Sequence, residues 1–194
     1  KEKEKVNLNK LGSYSIKHTA VDDAGNQSTL TRVINVVTHP SNTNLGINTL
    51  EQNKRTQNVA IGANSMRNSG VNVDNKPMNN TAIGFNSLLN VSGERNVAVG
   101  ANAIRGLALG DSNIAIGFNA GKNLKTGSNN IMIGQASGPN PNDDKEGNIY
   151  NNIMIGGASF KDGGTYDNTI VIGYGATGEE SGTTVIGGST NKLT

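Results

Sequence analysis

Apolar residues recur along this chain in a short phrase rather than in long runs. The phrase is an Asn or Thr, then two or three mostly aliphatic residues, then a Gly, and its side chains alternate with the period of a β-strand. The steps between the phrase-ending glycines are 16, 22, 16, 17, 17, 22, 17 and 14 residues. A short, nearly constant step predicts stacked coils of one repeating unit rather than a single globular core. The glycines are Gly46, Gly62, Gly84, Gly100, Gly117, Gly134, Gly156, Gly173 and Gly187.

Each unit predicts two short strands and two bends. The first strand ends at the Gly, a residue that accepts the backbone of a bend, and a second short apolar stretch follows, as in residues 85–88 and 101–104. In a strand such as Val59–Ile61, we expect Val and Ile to form the interior and Ala to point the other way. Ala at this position gives way later to Met132, Met154 and Val171. If the Ala face meets neighbouring chains, the packing between chains changes along the assembly.

Asparagines at equivalent places in successive units predict hydrogen-bonded ladders, because stacked coils place identical side chains above one another. One predicted ladder lies at the start of the phrase and a second lies just after its Gly. The first contains Asn58, Asn96, Asn113, Asn130 and Asn152, and the second contains Asn64, Asn86, Asn102 and Asn119.

Composition agrees with a thin core and argues against an enzyme. Aromatic residues make up 4% of the chain, hydrophobic residues 34%, and 26 residues are Gly, so large side chains are too few for a thick core. The net charge of +2 gives no reason to expect nucleic acid or an anionic membrane as a partner. No Cys is present, which excludes disulfides and thiolate metal sites. His18 and His39 lie apart from any nucleophile, no apolar run is long enough for membrane insertion, and no cofactor or metal is expected.

Residues 1–38 lack the phrase. Alternating residues in 14–21 and 29–37, with a turn by composition at 23–26, predict a β-hairpin. This segment resembles the C-terminal half of a bacterial immunoglobulin-like module, so we expect a partial immunoglobulin-like β fragment over 1–38. A linker over 39–42, about nine coils over 43–191 and a tail over 192–194 complete the predicted organisation. The resemblance rests on Gly12, Tyr14, Ile16, His18, Ala20, Asp22, Ala24, Gly25 and Asn26.

The repeated phrase resembles the head repeat of trimeric autotransporter adhesins, and it resembles more closely the longer repeats of viral and phage fibre proteins. The resemblance covers about three quarters of the chain and implies an all-β, left-handed parallel β-roll, a solenoid that packs as a homotrimer. Steps of 16 and 17 residues, rather than 14, favour the viral type. The implied function is a structural and adhesive fibre or spike segment on a virion surface, either a phage tail fibre or a spike of a large DNA virus. Such a segment attaches to a host-surface glycan or protein by multivalent binding, alongside other fibre or capsid proteins.

Other classes stay open at this point. A bacterial trimeric adhesin head would be distinguished by a C-terminal coiled coil and a membrane anchor. A fibre-borne glycan depolymerase would need paired carboxylates on one exposed face, which the repeated phrase does not supply. An ice-binding solenoid would need a regular Thr array, and only Thr169, Thr183 and Thr184 suggest one.

Two of the steps are 22 residues long and contain insertions, at 67–79 and 138–151. Loops on a rigid scaffold are common binding elements, although insertions in a solvated bend are also simply tolerated. Calcium could bind residues 143–146, or Asp22, Asp23 and Asn26, but a solvated loop and an Asx turn are the favoured interpretations. The candidate binding residues of the insertions are Asn68, Val73, Asp74, Lys76, Asn142, Asp143, Asp144, Lys145 and Tyr150.

Overall fold

A computed structural model describes residues 12–36, 42–51, 56–69, 78–106, 109–139, 149–161, 167–178, 180–188 and 191–193. These residues form strands and turns, so the protein is all-β as predicted. Within the described ranges, no helix has the length and apolar character needed to cross a membrane. The chain divides into two compact units, Lys1–Pro40 and Ser41–Thr194.

The first unit contains the predicted β-hairpin. Strands β1 (Gly12–Val21) and β2 (Gln27–Val36) pair antiparallel, with Gly12 opposite Val36 and Val21 opposite Gln27. The side chains described over 17–31 are exposed on both faces of the ribbon. A two-stranded ribbon with both faces in water is marginal by itself, so this unit lacks a core of its own over these residues.

The second unit is a parallel β-solenoid in which each copy of the phrase forms one strand. Nine of these strands lie in one sheet, paired in register with the copy before and the copy after. A final strand, β15 (Asn191–Leu193), pairs antiparallel with the last of them. The nine are β3 (Thr43–Leu45), β4 (Val59–Ile61), β5 (Thr81–Ile83), β6 (Val97–Val99), β7 (Ile114–Ile116), β8 (Ile131–Ile133), β10 (Ile153–Ile155), β12 (Ile170–Ile172) and β14 (Thr184–Gly188).

The second element of each unit is a strand only late in the chain. Strands β9 (Gly138–Pro139), β11 (Phe160–Lys161) and β13 (Thr177–Gly178) form a small parallel sheet. In the earlier coils the predicted second strand is wrong, because residues 63–69, 85–90 and 101–106 form successive turns. There, alternate residues have positive φ, for example Asn86 at 54° and Leu88 at 48°. Such a backbone cannot be extended, and it closes the coil with a curved wall.

The prediction of the interior was also wrong. The middle residue of the phrase, two places before the glycine, is buried from β4 onward, whereas the Val and Ile residues on either side of it are half-buried or exposed. Both sides of the strand are apolar, so alternation alone did not decide which side is inward; in the early coils the narrow interior takes the smaller side chain, Ala. The buried middle residues are Ala60, Ala82, Ala98, Ala115, Met132, Met154, Val171 and Val185.

The change from Ala to Met along this column therefore occurs inside the coils and does not indicate a change of packing between chains. In early coils, a small middle residue accompanies a large buried residue four positions after the glycine. In the coil of Met132 the middle residue is the large one, and the residue four positions after the glycine is Gly138. A Cβ added at Gly121 or Gly138 would lie 3.1 Å from Sδ of Met132, so the thioether fills the space that these glycines leave. The early pairs are Ala60 with Met66, Ala82 with Leu88 and Ala98 with Ile104.

Candidate functional site

The first predicted asparagine ladder is present, and it is buried. The side-chain oxygen of each member accepts a hydrogen bond from the backbone amide of the equivalent residue in the next coil, as Asn96 does from Asn113 over 2.9 Å. The side-chain amides of the members from Asn58 to Asn130 also bond inside their own coils, as Asn113 does to the carbonyl oxygen of Gly127 over 2.8 Å. Each asparagine thus satisfies backbone groups that no strand partner reaches. The successive members are Asn42, Asn58, Asn80, Asn96, Asn113, Asn130, Asn152 and Thr169.

The sequence prediction missed Asn80. The phrase there was taken to begin at Thr81, but Thr81 is the first strand residue, and Asn80 precedes it as Asn96 precedes Val97. Aligning the copies on the strand rather than on the first polar residue would have found it. Thr169 continues the ladder with its hydroxyl, which donates to the carbonyl oxygen of Glu180 over 3.0 Å.

The second predicted ladder runs along the bends in the early coils. The amide of Asn64 donates to the side-chain oxygen of Asn86 over 3.1 Å, and that of Asn86 donates to Asn102 over 3.3 Å. These residues have φ between 54° and 57°, which Asn tolerates better than most residues. Asn119, the last predicted member, is not an acceptor in the observed ladder, because its buried Oδ1 accepts no hydrogen bond among the described residues.

The repeated glycines are required by a close approach between coils. Each adopts a φ between 118° and 139°, and from Gly46 to Gly173 an added Cβ would collide with the backbone of the glycine in the next coil. At Gly84, for example, it would lie 2.6 Å from the carbonyl oxygen of Gly100. The predicted structural role of Gly62, Gly84, Gly100, Gly117, Gly134, Gly156, Gly173 and Gly187 therefore has a steric cause.

The outward side of the nine-strand sheet forms an apolar face, defined here as the first and third residues of those strands. With few exceptions these residues are Val, Ile or Leu, and Thr supplies the others. Several third-position side chains remain well exposed, including Ile83 at 37% and Ile116 at 40%. A regular aliphatic sheet face of this kind is costly to leave in water.

Beside this face runs a second column, made of the residues that directly follow the bend glycines. We call it the post-glycine column. Its aromatic members are all exposed: Phe85 at 52%, Phe118 at 52% and Tyr174 at 78%. The column contains Ile47, Ala63, Phe85, Ala101, Phe118, Gln135, Gly157, Tyr174 and Gly188.

Most of the predicted loop residues lie outside the described ranges: Val73, Asp74, Lys76, Asn142, Asp143, Asp144 and Lys145. Of the two that are described, Asn68 donates from its amide to Asn90 over 3.1 Å, which is a coil-to-coil contact. Tyr150 is exposed, and its backbone amide donates to a carboxylate oxygen of Asp167 over 2.9 Å. The structure does not bring these two residues together with a further polar cluster.

Hydrogen bonds within the acidic turn of the hairpin stabilise it. One carboxylate oxygen of Asp22 accepts hydrogen bonds from the backbone amides of Ala24 and Asn26, over 3.0 and 2.8 Å. The other accepts from the side-chain amide of Asn26 over 2.8 Å. These bonds, the one from the Asn26 side chain first, lower the pKa of Asp22 below its ordinary value. The preferred interpretation of this segment as an Asx turn is confirmed.

The described part of the chain supports neither a metal site nor a dinucleotide-binding site. No three His, Asp or Glu side chains there converge on a point where a metal ion could bind. The sequence Gly173–Gly178, which matches G-x-G-x-x-G, follows β12 and consists of a bend and β13, and the next element is strand β14 rather than a helix. A dinucleotide site would need a helix there, so these glycines belong to the coil.

Comparisons of the chain with known protein families, with curated proteins and with solved structures found no match.

Proposed function

We propose that this chain is a structural and adhesive segment of a trimeric fibre or spike on a virion surface. In this proposal its solenoid is the left-handed β-roll of such fibres, and three copies lie side by side. The setting is a phage tail fibre or a spike of a large DNA virus, joined to other fibre or capsid proteins. The resemblance of the repeated phrase supports the viral type, and the fold supports a repetitive, load-carrying column rather than a catalytic pocket.

The apolar face is the single observation that carries this proposal. It extends over nine strands, roughly 40 Å at about 4.8 Å per strand. Aliphatic side chains such as Ile83 and Ile116 point outward along it, and the coils are already filled by the middle residues. Copies of the chain that pack through this face would remove those side chains from water. The association surface is therefore the Val and Ile side of the sheet, not the small-residue side that the sequence suggested.

In this proposal, the three copies strengthen attachment to the host surface. Three identical chains present each surface site three times, so contacts that are weak singly become strong together when they engage one cell surface. The immunoglobulin-like resemblance of the hairpin fits the same setting, because such modules are common in extracellular fibres.

The mass of the protein in solution tests whether copies of the chain associate. Light scattering on the whole chain should give about three times the 20.2 kDa of one chain. Ile116→Glu places a charge on the apolar face and should lower the mass toward that of a single chain. The matched control is Leu109→Glu, since Leu109 is also exposed but lies outside the apolar face. A monomeric wild-type chain contradicts the proposal.

A glycan array tests attachment separately. The intact trimer should bind at least one class of cell-surface glycan, and the Ile116→Glu chain should bind it much more weakly because avidity is lost. A trimer that binds no glycan and no host-cell surface is a spacer, and the adhesive part of the proposal then fails.

A further inference from the structure

The apolar face cannot by itself determine how two copies align along the coil axis. Every coil presents the same kinds of residue at the first and third strand positions. A shift of one copy by one coil, about 4.8 Å, exchanges one aliphatic contact for another and loses contact at only one coil of nine. Weakly differentiated strands are prone to such slippage. A defined assembly needs a feature that differs from coil to coil.

The post-glycine column differs in this way. Its rings occur at Phe85, Phe118 and Tyr174, in the third, fifth and eighth coils. The separations between these three are two, three and five coils, all different. Between parallel copies, any shift along the axis therefore brings at most one ring level with another ring, whereas the unshifted arrangement aligns all three.

Small neighbours give Phe85 and Tyr174 room. Phe85 lies between Ala63 and Ala101 in the column, and Tyr174 lies between Gly157 and Gly188. A Cβ built on Gly157 would lie 3.2 Å from Cδ2 of Tyr174, so this ring leans over the adjacent coil and uses the space left there. A ring is taller than the spacing of one coil, and a large residue in each neighbouring coil would leave it no place.

The column also borders the face through which copies are proposed to pack. Ile83 and Phe85 stand on either side of Gly84, and Ile116 and Phe118 stand on either side of Gly117, all four exposed. The sheet face alone projects an area of roughly 400 Å², from strands of about 10 Å and a height of about 40 Å. A standard stable interface buries about 800 Å² of accessible surface on each partner, and contact that continues past the sheet edge onto the bordering column would enlarge the buried surface toward that value.

We propose that Phe85, Phe118 and Tyr174 set the axial register between copies of this chain. In register, rings at the same level of neighbouring copies pack together, and such aromatic contacts add to the stability of the pair. After a shift of one coil, Phe85 is level with an alanine and Tyr174 with a glycine. This inference rests on the proposed self-association and adds to it the residues that make the arrangement unique.

The chain has no Cys, so single labels can be introduced cleanly. Chains carrying Arg105→Cys with a nitroxide are mixed with chains carrying Glu180→Cys with a gadolinium label; both residues are exposed and lie several coils apart. Pulsed dipolar spectroscopy then measures distances between unlike labels in neighbouring copies. Each label in a symmetric trimer faces two neighbouring copies, so the native column should give at most two narrow distances. The triple variant Phe85→Ala, Phe118→Ala and Tyr174→Ala should keep its mass and its circular dichroism but give several distances, displaced axially by steps of about 4.8 Å.

Leu109→Ala is the matched control, because it removes an exposed apolar side chain outside the column and should leave the native distances unchanged. A second variant, Phe85→Ala with Ala63→Phe, keeps three rings but moves one by a coil. It should assemble with itself and mix poorly with native chains.

Three outcomes overturn the inference: a triple variant that keeps the native distances, a native chain whose distances form a series of axial steps, or free mixing of the moved-ring variant. A triple variant that keeps its register but loses binding to a glycan that the native chain binds assigns the rings to a ligand instead. A native chain that is monomeric by light scattering overturns the proposed function itself, which distinguishes the two failures.

Discussion

The side-chain oxygen of Asn113 accepts two hydrogen bonds from Asn130 in the next coil, one from the backbone amide over 3.1 Å and one from the side-chain amide over 2.9 Å. Both residues are completely buried. Each coil is thus tied to the next by side chains as well as by the backbone hydrogen bond that Ile114 donates to Asn130. A buried amide in this position can satisfy several groups at once, and its loss leaves all of them without partners.

Asn113→Ala should destabilise the solenoid by about 3 kcal/mol or more, because the backbone amide of Asn130 and the carbonyl oxygen of Gly127 both lose a buried partner. The change is measured from the midpoint of urea unfolding. Lys125→Ala, at an exposed position nearby, should stay within about 0.5 kcal/mol of the native chain. Equal effects at the two positions would show that the ladder contributes nothing specific.

Gly117→Ala should prevent the coils from stacking. The residue has a φ of 134°, and the added Cβ would lie 2.6 Å from the carbonyl oxygen of Gly134. Strain and collision together should cost more than about 3 kcal/mol, visible as a large loss in thermal stability or as insoluble protein.

Gly106→Ala is the matched control for that substitution. Its nearest neighbour would be the carbonyl oxygen of Lys122 at 3.7 Å, and its φ is not positive. The change should be neutral or stabilise by up to about 1 kcal/mol, since alanine has fewer unfolded conformations. A Gly106→Ala variant as unstable as Gly117→Ala would refute the steric explanation.

Met132→Ala should leave a cavity, because the adjacent Gly121 and Gly138 have no side chains that could fill the space. A loss of about 2 to 5 kcal/mol is expected in urea unfolding. Met132→Leu, which keeps nearly the same volume, should cost less than about 1.5 kcal/mol. Similar losses of unfolding free energy in the two variants would mean that the chemistry of the thioether, rather than the volume of the side chain, stabilises the coil.

The hairpin turn should loosen in acid. Its hydrogen bonds, that of the Asn26 side chain first, give Asp22 a lower pKa in the folded chain than in the unfolded chain. The charged carboxylate therefore stabilises the turn fully above the unfolded value, and this contribution is lost as the pH falls below about 4 and through the folded value. Nuclear magnetic resonance shifts of the Ala24 and Asn26 amides should follow this titration. Asp22→Asn should abolish it, Asp23→Asn should retain it, and a flat native profile would rule it out.

Almost all parallel strands of the solenoid could be predicted from the sequence. Each Asn-aliphatic-Gly phrase became one strand in one sheet, and the glycines and both ladders have the structural roles that the repeat predicted. Repetition made this part predictable, because an error in one copy is corrected by the others.

The sequence could not determine the direction of the side chains. In β6, Ala98 is flanked by Val97 and Val99, all three apolar, and period two is satisfied with either side inward. The choice depends on the opposite wall of the coil, where Ile104 occupies the available volume. That wall was itself mispredicted, since positive φ at Asn102 and Ile104 turns a strand-like sequence into consecutive turns. Binding residues such as Asp143 stay untested predictions.

The antiparallel strand β15 pairs with the last parallel strand of the solenoid. Its residues pair with β14 at Ile186, Gly187 and Gly188, and so they occupy the edge that a further parallel strand would need. A further parallel coil beyond β14 would have to displace β15, whereas units inserted between existing coils would not. Inserted units of 16 or 17 residues would each lengthen the sheet by about 4.8 Å.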